Sequence, residues 1–378
     1  MSWVAIACVA GLAASSLGDD VVYSAAHVRE VHGKFFPVDT PHLYRVGTNG
    51  KNLRRITFGD RADTQPSLAP DHNHVLFWRK DKSDLISNSI LCSVATDGTG
   101  FKELLRFLDD GRLDLVSLKR AYLGAEPYRV KPVRTADDVA NLQVIAPNGN
   151  VRIKSLTPAI APGGRWLTYG KDASTNLVDL RTGKEIELRG IPSEAGGTAV
   201  PVSITWIDDS SLINGFYDIA SLFRITTVGT LQEKPRHFHR VEQGRSQDLE
   251  VFASTQWRQN PDGVRAFRYG VGGKNILLQV VGRTEDGGSP ATYGFVASTG
   301  EVRFIQKGLF FEDEARDRRT FLVSSWNWGK GWLGDGTAPL RTLSLWDVVG
   351  RKAIPITAEG LSCEGACFVP ETATKRSK

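Results

Sequence analysis

The chain has 378 residues, 41% hydrophobic and 24% charged, which excludes a disordered polymer and allows two average domains or one large all-β domain. A net charge of +5 is spread along the chain, and no basic segment is interleaved with aromatics, so nucleic-acid binding is not expected. The 38 glycines suit many tight turns.

The first element is the apolar run in MSWVAIACVAGLAASSLGDD. Its small residues at 14–16 fit an export-signal cleavage site, although no basic residue precedes the run. Residues 1–18 are therefore expected to be a signal peptide, taking Cys8 with them and sending the mature chain to a bacterial periplasm or outside the cell. A buried first strand is the other reading. No later stretch is long and apolar enough to span a membrane.

Next comes LYRVGTNGKNLRRITFGDRADTQPSLAPDHNHVLFW, over 43–78. Two apolar runs flank Asn49 and Gly50, and a third follows a turn at Pro70 and Asp71. The first feature recurs in LCSVATDGTGFKELL, LQVIAPNGNVRIKSL, LVDLRTGKEIEL, LFRITTVGTLQEKP, YGFVASTGEVRFI and LSLWDVVGRKAIPIT. Each places a glycine where a short hairpin turn needs positive φ. These seven hairpins recur about every 50 residues, the length of a four-stranded propeller blade. The second feature recurs in PAIAPGGRWLTYG, in SITWIDDSSLINGFY, in TQWRQNPDGVRAFRYG with its turn at 260–263, and degenerately in FFEDEARDRRTFLVSS. The third unit, near LDLVSLKRAYLGAEPYRV, has no clear copy. Each unit thus reads as two hairpins, strands A–B and then C–D.

LYRVGTNGKNLRRITF followed by PSLAPDHNHVLFW resembles the PD40 repeat of TolB-like β-propellers, with partial matches in IAPGGRWLTY and NPDGVRAFRY. The resemblance implies an all-β propeller, expected over 19–370; the spacing favours seven blades, and the basic composition of 371–378 reads as a disordered tail. The α/β domain that precedes the propeller in TolB is not expected here, so TolB's partner-binding role is not carried over. The first unit, starting at VVYSA, lacks a Pro-Asp strand of its own, and PITAEGLSCEGACFVPE supplies one. Residues 366–369 should then pair with 21–25 and close the ring, removing an open sheet edge. Six blades result if 107–156 is an insertion.

Catalytic signatures are sparse. There is no Gly-x-Ser-x-Gly elbow, phosphate-binding loop or dinucleotide fingerprint, and GVGGKN at 270–275 reads as a strand–strand turn. His72, His74, His237 and His239 read as turn or outer-strand residues, and EDEARDRR as a solvated turn. Cys92, in ILCSV, reads as a small buried hydrophobe. Cys363 and Cys367 are four apart around a glycine, so in an oxidising compartment a local disulfide is expected. No second pair completes a zinc site, and neither metal nor cofactor is expected.

The most distinctive segment is SSWNWGKGWLGDG at 324–336, placed between strands B and C of the last unit, with Trp326, Trp328 and Trp332. The first unit carries its own insert there, AHVREVHGKFFPVDTPH at 26–42, with His27, His32, Phe35, Phe36 and His42. First and last units are neighbours in a closed ring, so the two inserts should meet at one end. They either seal the junction or present a binding surface, and deleting 324–336 is expected to spare the fold. The function expected is that of a monomeric, non-catalytic binding or scaffold module recognising a protein or glycan. The alternative is a propeller carbohydrate-active enzyme, a polysaccharide lyase or glycosidase, which needs acids, arginines or histidines converging at the channel mouth.

Overall fold

A computed structural model describes residues 19–69, 71–80, 88–108, 129–134, 140–145, 152–155, 159–161, 165–171, 174–188, 203–216, 219–225, 230–232, 236–237, 264–269, 275–280, 291–296, 301–327 and 339–370. Among them every regular element is a β-strand, and the strands form seven antiparallel sheets. The first sheet holds β1 (Asp19–Val31), β2 (Lys34–Pro37), β3 (His42–Gly47) and β4 (Arg54–Arg55). The second holds β5 (Ala62–Leu68), β6 (His74–Lys80), β7 (Asn88–Ala95) and β8 (Lys102–Leu108), and the third β9 (Arg129–Arg134), β10 (Ala140–Ile145) and β11 (Arg152–Ser155). The fourth has β12 (Ala159–Ile160), β13 (Trp166–Lys171), β14 (Ser174–Asp179) and β15 (Glu185–Leu188). The fifth has β16 (Ser203–Asp208), β17 (Ser211–Phe216), β18 (Ile219–Ile225), β19 (Thr230–Gln232) and β20 (Arg236–His237). The sixth has β21 (Val264–Tyr269), β22 (Asn275–Val280), β23 (Ala291–Val296) and β24 (Glu301–Lys307). The seventh has β25 (Leu309–Glu314), β26 (Thr320–Asn327), β27 (Leu340–Asp347) and β28 (Lys352–Pro355), and β29 (Leu361–Pro370) ends the series.

All seven glycine hairpins of the sequence are antiparallel strand pairs, from β3–β4 to β27–β28. Their turns are locked by side-chain oxygens: Asn49, Asp97, Asp179 and Asp347 each accept the backbone N–H two residues on, at 2.8, 2.9, 3.0 and 2.9 Å. Asp71, Asp208 and Asp317 do the same in the A–B turns of the second, fifth and seventh sheets. Asp317 therefore makes EDEARDRR a hairpin turn, and its neighbour Arg319 grips Asp347 bidentately at 3.0 and 2.7 Å. That guanidinium, with the Gly350 and Val349 N–H groups, holds the Asp347 carboxyl down at about 2. The sixth sheet departs from expectation. Its first hairpin is β21–β22, joined through 270–274, so the proline turn at 260–263 precedes it and lies outside the described residues.

The first sheet buries both faces, which is why β1 reads as a near-continuous apolar run. Val21, Tyr23 and Ala25 pack toward Leu322 and Leu345 of the seventh sheet, while Val22 packs toward Val75 and Phe77 of the second. Phe311, Phe321 and Trp346 meet Leu277 of the sixth sheet, and Ala161 and Leu177 of the fourth meet Trp206 and Leu212 of the fifth.

β29 pairs with β1 along nearly its whole length, with Phe368 opposite Val21 and Ala366 opposite Tyr23. Two residues of β29, Glu364 and Gly365, oppose the single Ser24, a β-bulge. The expected disulfide does not form, because 363–367 lie along a strand and not in a turn: a rise of about 3.3 Å per residue carries the two Cα atoms beyond the roughly 7 Å that a bridge allows. The bulge also turns the two side chains apart: Cys363 faces the seventh sheet and Cys367 the second, and both are buried free thiols. Burial pushes the Cys363 thiol up to about 12. Cys92 is buried on β7 as expected.

Gly365 has φ +76, and a Cβ there would stand 3.1 Å from the Gln65 Cα in a second bulge on β5. Gly50 has φ +75 with open space around it. Gly365→Ala should therefore cost about 2–3 kcal/mol, conformational strain plus a backbone collision, and Gly50→Ala only the strain, about 1 kcal/mol. Urea denaturation midpoints of the two variants check the difference.

Between the first two sheets lies a buried polar cluster. The Ser24 hydroxyl donates to the Asp63 carbonyl at 2.6 Å, and Arg79 donates to both Asp63 carboxylate oxygens at 2.7 and 2.9 Å. His42, 2% exposed, has Nδ1 3.5 Å from that carboxylate and Nε2 3.3 Å from the Thr40 hydroxyl. Burial, then the charge of Arg55, hold the imidazole below its ordinary 6.5, outweighing Asp63. His42 is thus neutral when folded but takes up a proton below pH 6.5 when unfolded. Its contribution is complete above that pH and is lost as pH falls toward the lowered folded value. Relative to His42→Gln, the parent should lose up to roughly 1.4 kcal/mol per pH unit on acidification, read from melting temperatures between pH 7.5 and 5.

Candidate functional site

The segment 26–42 is a β-hairpin extension, not the loop expected from the sequence. Pairing between β1 and β29 stops at His27 opposite Leu361, and β1 then continues to pair with β2. The turn is two residues, His32 and Gly33, with φ of 53° and 80°, the doubly positive signature of a type I′ turn. His32 stands exposed at the tip. Phe35 lies opposite Glu30 and is buried, and Phe36 lies opposite Arg29 and is half-buried. Val38, just beyond β2, is 57% exposed.

The base of this hairpin is fixed. Asp39 accepts from the His27 backbone N–H and bonds its ring Nδ1, both at 2.7 Å, leaving the outer ring nitrogen toward solvent. The Val28 N–H donates to the Gly360 carbonyl at 2.9 Å. Two residues on, the Ser362 hydroxyl accepts the Arg341 N–H and donates to the Pro339 carbonyl, both at 3.0 Å. These bonds carry the hairpin's position across to β27. Arg341 stands opposite Trp326 in the β26–β27 ladder, its guanidinium 3.9 Å from the ring centroid.

The described bonds link the 26–42 hairpin to Trp326 through residues the sequence does not mark, Asp39, Ser362, Arg341 and Phe310. Trp326 is on the middle strand of three, stacked on Phe310 of β25 at 4.2 Å and covered from β27 by Arg341. Both ring faces are engaged, so Trp326 braces the sheet rather than offering a stacking platform. Trp328 and Trp332 lie outside the described residues. Residues 324–327 belong to β26, paired with β27, so a deletion that spares the fold must be confined to 328–338.

Carboxylates do occur on the first strand of the seventh sheet, but they tie strands together. Glu312 accepts the Ser324 hydroxyl at 2.6 Å, and Asp313 accepts the Phe368 N–H at 2.8 Å. Among the described residues no three histidines, cysteines or carboxylates are placed to hold a metal ion. No helix there is long and apolar enough to cross a membrane.

No family model matches the chain, and no curated protein matches it significantly. Among solved structures, TolB from Acinetobacter baumannii is similar at 11% identity and TM-score 0.43, covering 93% of this chain and 66% of that one. A putative 6-phosphogluconolactonase from Bacteroides uniformis is similar at 9% identity and TM-score 0.46, covering 93% and 99%. A functionally unknown protein from Desulfotomaculum acetoxidans is similar at 12% identity and TM-score 0.44, covering 93% and 98%. No function transfers at these identities.

Proposed function

We propose that the chain is an exported, monomeric binding module: a seven-bladed propeller of TolB type, closed by β29, that recognises a protein or glycan through one end of its ring. The supporting observation is the β1–β2 hairpin. It projects past the last residue pair that joins the two chain ends, so closure does not require it. Yet its base is fixed by Asp39 and Gly360, which pre-pays the ordering cost of a contact surface. His32 and Val38 supply that surface, and the engaged carboxylates of β25 favour binding over acid–base chemistry.

A thermal-shift screen of the mature protein against peptidoglycan fragments, plant and bacterial oligosaccharides and divalent metals tests this reading, since a ligand of the native state must raise the melting temperature. The expected result is a shift with one glycan class, lost when His32→Ala is combined with Phe36→Ala or when Trp328 and Trp332 become alanine. If the screen is silent, affinity capture should recover a protein whose binding those variants abolish. A shift or partner indifferent to both variants would move the site elsewhere.

A further inference from the structure

The ring end does not account for the most exposed aromatic surface of the first two sheets. Phe58, just beyond β4, is 67% exposed, and Phe101, just before β8, is 43% exposed. Between them lies a cleft of about 180 Å³ floored by Ile56 and Val94, with Arg79 on one wall. That is smaller than the roughly 300–1,000 Å³ of small-molecule sites and fits one bulky side chain. The cleft is built, not incidental. Gly98, at φ +89, lets the Asp97 turn approach within 3.3 Å of the Ile56 side chain, counted from where a Cβ would stand. Arg79, anchored on Asp63, holds its guanidinium 4.4 Å from the Phe101 centroid.

The charge at the rim is predominantly positive, from Arg54, Arg55, Arg61 and Lys102 against Asp97 and Glu103. Arg55 lies 5.2 Å from the Phe58 centroid and spends its Nε on the Thr57 carbonyl, with no carboxylate partner among the described residues. Lys102, on the flanking edge of β8, is exposed, while Arg54 faces the charge of Asp97. The nearby carboxylates have cationic neighbours of their own, Arg54 for Asp97 and Arg61, at 3.6 Å, for Glu103, which leaves Arg55 as the guanidinium without one. Exposed aromatic rings, a side-chain-sized cleft and uncompensated guanidinium charge match one kind of occupant. We propose that this outer cleft between the first and second sheets docks an acidic peptide segment of a partner protein, anchored by one bulky apolar residue. The proposal is independent of the ring-end reading, because it uses none of those residues.

Fluorescence anisotropy tests it with a fluorescein-labelled peptide carrying one phenylalanine flanked by aspartates. The controls are the same peptide with alanine for phenylalanine and with lysines for aspartates. The full chain should bind the first saturably and both controls at least about tenfold more weakly. Phe58→Ser should weaken binding by a similar factor at an unchanged melting temperature, since its ring is exposed, and Arg55→Glu should do so in samples that circular dichroism shows to be folded, since its side chain is half-buried. His32→Ala with Phe36→Ala should leave it unchanged. No saturable binding by the parent, equal binding by Phe58→Ser, loss only in the hairpin variant, or preferential capture of a single-stranded oligonucleotide through the same residues would each overturn it.

Discussion

Asp63→Ala is expected to lower stability by about 3–5 kcal/mol, the cost of leaving a buried charge without its partner. Asp63 is fully buried and receives two hydrogen bonds from Arg79, whose side chain is 12% exposed. Its backbone is held as well: the Asp63 N–H donates to the Pro41 carbonyl at 2.8 Å, and its carbonyl accepts from Ser24. Removing the carboxylate strands the guanidinium beside Phe77 and Phe101 and leaves His42 with no acidic neighbour in that cluster. The double variant Asp63→Ala, Arg79→Met should recover part of the loss, because the penalty belongs to the orphaned charge more than to the pair. Urea titrations of the parent, both single variants and the double variant give the coupling energy directly. Strict additivity would show that the pair does not act as a unit.

Arg45→Met should cost a similar amount, about 3–5 kcal/mol, and should act on the chain ends first. Arg45 is 2% exposed on β3, and its three donating nitrogens reach three separate places. Nε donates to Asp20 at 2.7 Å, Nη1 to the Thr96 carbonyl at 2.7 Å, and Nη2 to the Pro370 carbonyl at 2.8 Å. One side chain therefore joins the start of β1, the turn after β7 and the last residue of β29. Methionine fills much of the volume but leaves two carbonyls without their donor, each worth about 1–3 kcal/mol when buried. Arg45→Lys should recover little, since an ammonium on a flexible stem cannot reach three diverging acceptors. Hydrogen exchange should show β29 and β1 losing protection before β6 and β7. Uniform loss across all sheets would mean that the guanidinium is not a clasp for the termini.

The sequence made the repeat legible because its signals are local. A glycine marks each turn, at positive φ in Gly50, Gly98 and Gly183, and Asn49, Asp97, Asp179 and Asp347 lock four of them, so all seven hairpin positions could be read from the chain. The C-terminal strand is legible for a related reason: the first unit lacks a Pro-Asp strand of its own, and PITAEGLSCEGACFVPE supplies one. The insert at 26–42 conceals a hairpin, because His32 and Gly33 reach the doubly positive φ of a two-residue turn without the Asn-Gly pair that announces one. Cys363 and Cys367 flank a glycine, and nothing local says whether that glycine makes a tight turn or a bulge in an extended strand.

By itself the sequence determined that this chain is built of antiparallel hairpins of two kinds, and that its last strand returns to its first. Turn chemistry and two-residue periodicity act over short distances, and the amino acids state them outright. The tertiary structure alone decided which polar side chains are buried and what they join. Arg45, Asp63 and Arg341 look like ordinary surface residues in the sequence. Only when strands 39, 51 and 325 residues apart come together do their donors and acceptors find one another. The same assembly turned Trp326 from a ligand platform into a brace, because Phe310 and Arg341 reach it from the strands on either side. Low local polarity then makes each of these bonds costly to lose, and so holds the hairpins in one arrangement.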